Sequence, residues 1–341
     1  MVIYDLLTAD LSMFNNTNVT TDTTATTGND LSVEMKTFYS DYLIDLAEPE
    51  LVHDQFGQKH PIPKNGGKTI EFRKYDSLPK ALTPLTEGVT PNGQKLNVTN
   101  LTATVAQYGG YVELSDVLML TAIDNNLVQA TKLIASQAGR TLDTVTREVL
   151  NGGTNVLYAN GGASRSALVG GSATAASNNY LKVRDIRLAV RALEKVNTPK
   201  INGWYVGIIH PDIAFDLMDD QDWKDPHTYV DTQNMYANEI GQIGGVRFVK
   251  STEAKIFAEA GYSDRNVYST LILGDNAYGV TEVTGGGLQH IVKQLGSSGT
   301  ADPLNQRATA GWKAIKVAER LVEQYMIRLE STSSFNDAPE N

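Results

Sequence analysis

Residues 120–153 read LTAIDNNLVQATKLIASQAGRTLDTVTREVLNGG and carry the longest periodic signal in the chain. Leu120, Ile123, Leu127, Ala130, Ile134, Ala138, Leu142, Val145 and Val149 recur at steps of three and four, the spacing that lines one face of an α-helix. Ser115 or Asp116 can cap its start, and Gly152-Gly153 can end it. At 1.5 Å per residue such a helix runs roughly 50 Å. Small residues (Ala135, Ser136, Gly139) and sparse flanking charge argue against a coiled coil, which wants charged pairs beside its seam. The pattern predicts a spine helix lying across a sheet.

Upstream the period changes. TIEFRKY at 69–75 alternates as a strand, and NVTNLTATVAQYGGYV at 97–112 is rich in Thr, Val and Tyr. Between them lie Pro84, Gly88, Pro91 and an Asn92-Gly93 turn signal. The sum is a long hairpin with a polar, breaker-rich tip. A two-stranded hairpin alone is marginally stable in water, so this one needs a surface to lie on, its own body or another copy. Further upstream, FNNTNVTTDTTATTGND at 14–30 is too poor in apolar residues to offset its ordering entropy and reads as a mobile or extended arm. Residues 31–48 read as a short amphipathic helix stopped by Pro49.

Downstream, 153–180 is Gly, Ala, Ser and Asn punctuation, with no regular structure expected. Then the pattern is α/β. A helix is predicted over 183–196, a buried strand over 204–209, a helical turn over 211–218, and strands over 246–249 and 269–273. Residues 291–329 give a strand, a loop, a long returning strand from Trp312 and a last strand over 325–329.

At 341 residues, 41% hydrophobic and 20% charged, the chain is that of a folded protein with about two domains. The formal charge of −10 argues against a nucleic-acid-coating surface, which needs clustered Lys and Arg. Any face turned to DNA is expected to be mostly acidic or neutral, and isolated subunits to bind duplex poorly at physiological salt. With no cysteine, disulfides, thiolate metal sites and cysteine nucleophiles are excluded. The segment MVIYDLLTADLSMF carries Asp5 and Asp10 and no basic leader, so it does not read as a secretory signal. No apolar run approaches the ~20 residues of a membrane helix.

Candidate chemical motifs dissolve on inspection. Gly66-Gly67-Lys68-Thr69 resembles the end of a phosphate-binding loop, but Ile62 stands where that loop needs a glycine, and a strand follows instead of a helix. The acidic run Asp212, Asp216, Asp219, Asp220, Asp222, Asp225 fails as a calcium loop: Lys224 takes the fifth position from Asp220, and the sixth-position glycine and twelfth-position Glu are missing. The five histidines are scattered without metal-binding spacing. Thr284-Gly-Gly-Gly287 lies between two β-like stretches and reads as a turn. No catalytic constellation assembles, and no cofactor or metal is expected.

The stretch ADPLNQRATAGWK at 301–313 sets an acid, a base, a proline and a tryptophan close together. As a turn it works well, because Pro303 fixes its own φ and biases Asp302 towards extended backbone. Asp302 and Arg307 then present opposite charges at the tip of a strand pair, and Trp312 starts the returning strand, its ring placed to pack on the spine helix.

The order of parts (arm, long hairpin, spine helix, α/β domain, returning strand pair) resembles the major capsid proteins of tailed bacteriophages with the Hong Kong 97-type fold, an α+β class. More narrowly, the C-terminal third resembles the capsid family of podoviruses related to phage N-four. That likeness is carried by LGDNAYG at 273–279, GGVRF at 244–248, DPLNQR at 302–307 followed by Gly311-Trp312-Lys313, and the helix end LNGG at 150–153. The resemblance as a whole covers roughly residues 35–330.

The resemblance implies an N-terminal arm and short helix over 1–60 and an extended hairpin loop over 61–113. It also implies a peripheral domain over 114–152 and 287–322, an axial domain over 153–286 and 323–335, and a tail over 336–341. It implies a non-enzymatic shell subunit that forms hexamers and pentamers of itself, with portal, scaffolding and decoration proteins as partners, and no membrane. The shell would enclose DNA without sequence-specific binding and be assembled in the host bacterial cytoplasm. The residues expected between subunits are Lys80, Glu87 and Lys95 on the hairpin, and Asp302, Pro303, Arg307 and Trp312 on the later loop, with Asp302 and Arg307 either making charge contacts there or bracing the loop that does. The rival reading is a secreted surface-layer or adhesin-type protein, suggested by the Thr and Asn content.

Overall fold

The computed structural model describes residues 52–75, 78–84, 87–90, 92–121, 126–171, 178–223, 239–282, 286–297 and 302–336. The arm and the helix expected over 31–48 lie outside them. In chain order the first half holds β1 (Gln58–Lys59), β2 (Thr69–Tyr75), β3 (Val98–Thr104), β4 (Ala106–Ser115), α1 (Asp116–Thr121), α2 (Asn126–Asn151) and β5 (Val156–Tyr158). Then follow α3 (Val183–Lys195), β6 (Tyr205–Ile209), α4 (Pro211–Asp219), β7 (Glu239–Ile243), β8 (Val246–Lys250) and β9 (Ile256–Phe257). The last strands are β10 (Val267–Leu273), β11 (Tyr278–Glu282), β12 (Gln289–Lys293), β13 (Arg307–Arg320) and β14 (Met326–Ser331).

Among the described residues the chain divides into two compact units. The first contains Gln107–Leu142 and Gly286–Ile315, and the second contains Val52–Ala106, Asp143–Gly285 and the chain from Lys316. In the first, β12 pairs antiparallel with the start of β13, from Gln289 against Lys313 to Lys293 against Thr309, and β4 also pairs with β13. Over this sheet lies the first part of α2. Leu127, Ala130, Ile134, Ala135, Ala138 and Leu142 are buried against Leu114, Ala310, Trp312 and Ala314. From Leu127 to Leu142 the expected stripe is thus a core face; Ile123 lies outside the described residues. Small residues alternate with large ones, which lets the helix lie close to the strands.

The second unit is built on a sheet of order β5-β14-β10-β6-β8-β7, with β9 on the edge of β10. Every residue of β6 and β10 is buried, as a strand covered on both faces requires. Period-2 alternation sorts their side chains. Tyr205, Ile209, Tyr268 and Ile272 meet α3 and α4 in one cluster. Val206, Ile208, Leu271 and Leu273 meet Val52, Leu150, Tyr278 and Val280 in another. The turn between β7 and β8 is two residues, Gly244 and Gly245, both at positive φ (60° and 91°). That is the twist-matching hairpin turn that glycine makes accessible.

Three local features differ from the sequence reading. The Thr-rich run over 97–112 is two strands. β3 stays in the hairpin and β4 leaves it for β13. The spine is described as α1 and α2, and Leu120 is 45% exposed. Ser115 Oγ accepts the N–H of Leu118 at 3.2 Å, the side-chain cap expected of a serine there. Within 153–180, β5 pairs parallel with β14, from Val156 against Arg328 to Tyr158 against Glu330. No helix among the described residues is long and apolar enough to cross a membrane.

Candidate functional site

The hairpin β2–β3 is paired in register from Thr69 against Thr104 to Tyr75 against Val98, and no third strand joins it among the described residues. Its inner face is apolar only near the base, where Ile70 faces Ala103 and Phe72 faces Leu101. Ala103 is buried, and Phe72 stacks edge-on with His60 at 5.3 Å. Towards the tip the cover ends. Tyr75, Leu82, Val89, Leu96 and Val98 are 62%, 82%, 63%, 61% and 47% exposed. Lys80, Glu87 and Lys95 stand on this outer part, all exposed. None of the three forms an ion pair with a described residue.

Upstream of the hairpin, a buried polar network pins 52–56 to the body of the second unit. His53 N–H donates to Asp143 Oδ1 at 2.8 Å, and its ring Nδ1 lies 2.6 Å from Asp143 Oδ2. Asp54 pairs with Lys316 Nζ and accepts from Thr146 Oγ1 at 2.5 Å. Tyr278 donates its hydroxyl proton to the carbonyl of His53. Burial, with the Asp54 and Asp143 charges close by, pushes the Tyr278 phenol well above its usual range, so it stays a donor.

These residues were not singled out from sequence. The helical stripe was extended through Val145 and Val149, which are only half-buried. The buried positions of the last turns are Asp143, Thr146, Arg147 and Leu150. The usable signal is polar residues on the two inward i, i+4 series: Thr146 after Ile134, Ala138 and Leu142, and Asp143 and Arg147 after Ala135 and Gly139.

In the first unit, the loop before β13 has a different construction from the one expected. Asp302 is buried (6% exposed), and its carboxylate accepts the backbone N–H of Arg307 at 2.8 Å. The Asn305 N–H closes a turn on the Asp302 carbonyl at 3.1 Å, with Pro303 second in the turn and Asn305 at φ 54°. Asp302 therefore holds the loop's shape from inside and is not displayed at the tip. Arg307 lies 3.1 Å from Glu113 Oε1 of the same chain. What the loop presents outward is Pro303, Leu304, Asn305 and Gln306, with Leu304 74% exposed and Arg307 exposed beside them.

Trp312 is buried on α2, and its indole N–H donates to Gln137 Oε1 at 3.1 Å. Gly109 and Gly110 of β4 allow this fit. A Cβ on Gly109 would stand 2.7 Å from the Trp312 carbonyl oxygen, and one on Gly110 would stand 2.5 Å from Gln137 Oε1. A glycine pair inside a β-rich run was the sequence signal that a second backbone comes close there.

The described residues contain no cluster of His, Cys, Asp and Glu that could hold a metal ion. The His53–Asp143 pair has the form of half a catalytic triad, but both side chains are sealed from solvent (1% and 0% exposed). The geometry is that of a strut; the outer hairpin and the loop tip at Leu304 are exposed instead.

Comparison with known proteins agrees with these features. The chain resembles solved capsids in fold. With the capsid of Ralstonia phage GP4 the TM-score is 0.63 at 14% identity, covering 84% of this chain and 90% of that one. With the capsid of cyanophage Pam1 it is 0.59 at 15% identity, covering 97% and 99%. With the capsid of cyanophage P-SCSP1u it is 0.58 at 14% identity, covering 82% and 87%. No curated protein sequence matches the chain. A family model described as phage capsid protein matches residues 99–319. That match spans more than half of the molecule, and the chain belongs to the phage capsid protein family.

Proposed function

We propose that this capsid protein forms hexamers and pentamers of itself that close into an icosahedral shell around double-stranded DNA. The observation that carries the reading is the hairpin. Its outer half exposes six large apolar side chains (Leu78 with the five named above) and three unpaired charges, and nothing in its own chain covers them among the described residues. Exposed apolar surface of this extent marks an interaction site. A neighbouring copy is the partner that a shell supplies at every position. The apolar loop tip at Leu304, braced by Asp302, with Arg307 and Trp312 behind it, is the second joint.

We read the hairpin as the extended loop, the first unit as the core of the peripheral domain, and the sheet β5-β14-β10-β6-β8-β7 as the core of the axial domain. The finer affinity, to capsid proteins of podoviruses related to phage N-four, rests on LGDNAYG and DPLNQR. Assembly in the host cytoplasm with portal and scaffolding proteins is part of the same reading. So is a structural rather than catalytic role, supported by the sealed His53–Asp143 pair. Expression with assembly partners and negative-stain microscopy test it. Closed shells are expected, and a monodisperse dimer under every assembly condition would contradict the proposal.

A further inference from the structure

Helix α3, VRDIRLAVRALEK, is amphipathic in an unusual way for so acidic a chain. Val183, Ile186, Ala189, Val190 and Leu193 are buried in the core of the second unit. The opposite face carries Arg184, Arg187, Arg191 and Lys195, all exposed. Their steps of three, four and four place them in one stripe along the helix axis. Over 182–195 there are five bases against two acids, in a chain whose net charge is −10.

Both acids are already engaged. Asp185 is buried, accepting the backbone N–H groups of Asn160 at 3.1 Å and Lys182 at 3.2 Å. Glu194 lies 3.3 Å from Lys200 Nζ. Among the described residues, none of the four stripe cations forms a salt bridge.

We infer that this stripe is a contact for the phosphate backbone of double-stranded DNA. The inference rests on the proposed shell, which brings a polyanion close to every subunit. The stripe is about 16 Å long at the helical rise, and one DNA strand carries a charge every 3.4 Å of axis, so three or four cations can meet successive phosphates. Three of the four are arginines, whose planar fork suits phosphate oxygens. An acidic surface of a second copy would want apolar anchors at the centre of the contact, and Leu188 is the one large apolar side chain exposed within α3. The stripe reads no bases, so the contact is weak per subunit and independent of sequence. It qualifies the expectation, drawn from net charge alone, that surfaces facing DNA are acidic or neutral.

The test is fluorescence anisotropy of a labelled duplex with the purified full chain, from 50 to 200 mM NaCl. Releasing counterions from three or four phosphates lowers affinity about 40- to 150-fold over that range. The variant Arg187→Gln/Arg191→Gln/Lys195→Gln, with unchanged melting temperature, is expected to lose most of that slope. Equal binding and slope in the variant, or no salt-dependent binding by the wild type, overturns the inference. So does loss of shells by the variant with DNA affinity intact, because the stripe then meets an acidic surface of another copy. Shells are scored separately by microscopy. Shells without DNA affinity sink this inference alone, whereas DNA affinity without shells sinks the assembly reading.

Discussion

The hairpin β2–β3 and the central strands β6 and β10 are both β-structure, and they solve opposite problems. Every residue of β6 and β10 is buried, and their alternating side chains feed two apolar clusters. The hairpin has backbone pairing of comparable length but buries Ala103 alone among its strand residues. Backbone hydrogen bonds contribute little net stability, because water offers the same bonds to the unfolded chain. Burial of apolar area decides which strands stand alone. The sheet therefore belongs to the subunit, and the hairpin to whatever covers it. Changes in the sheet and its supports should appear in melting temperature, and changes in the hairpin and loop tip in assembly.

The largest effect on stability is expected at the buried pair. Lys316→Ala leaves Asp54 charged and without its counter-ion, at a cost of about 3–5 kcal/mol. Adding Asp54→Leu should recover much of that, since removing both charges spares the desolvation penalty. Denaturant unfolding of the two variants measures this. A Lys316→Ala loss below about 1 kcal/mol would show that the pair is solvated and no strut.

Next in size is Gly109→Ala, whose methyl would stand 2.7 Å from the Trp312 carbonyl oxygen and press on backbone. Overpacking of this kind costs about 1–3 kcal/mol, read from the denaturation midpoint. An unchanged midpoint would mean that β4 and Trp312 shift apart freely.

Smaller still in stability are the loop substitutions. Arg307→Glu breaks a part-exposed pair with Glu113 worth about 0–1 kcal/mol, and Leu304→Asp adds a charge at an open tip. Both variants should fold and form capsomers yet give few closed shells by sedimentation. Wild-type shell yields from both would remove this loop from the list of joints.

The smallest effect concerns pH. Burial lowers the His290 imidazole below its ordinary 6.5, so the unfolded chain binds the proton more readily than the folded one. Stability is then full above that pH and declines as pH falls below it. His290→Gln should flatten the acid side of the stability profile slightly. A steeper acid limb in the variant would contradict this.

Much of the architecture was readable in the sequence because one physical cause dominated each part. The stripe from Leu127 to Leu142 was unambiguous, since a helix on a sheet must be apolar at those steps. The core strands were legible as short apolar runs between turn residues. The buried network was not, because His53, Asp54, Asp143 and Lys316 are distant in sequence, and nothing local marks a charged residue whose partner arrives through folding. Asp302 was placed at the loop but facing out. Its inward turn depends on the Arg307 backbone N–H, which no side-chain pattern reveals. The split of 97–112 at Val105 had no local mark, because strand formers stand on both sides of it; Gly109-Gly110 mark only the later close approach to Trp312.

The central claim is that the hairpin contributes to the shell and not to the subunit. Excising residues 82–94 and joining Ala81 to Lys95 removes the exposed tip and leaves β2 and β3 in place. The melting temperature should stay within about a degree of the full chain's, since substitutions and losses at bare surface change stability little. The same preparation, given its assembly partners, should yield no closed shells by electron microscopy. A collapse in melting temperature, or shells at full yield, would contradict the account.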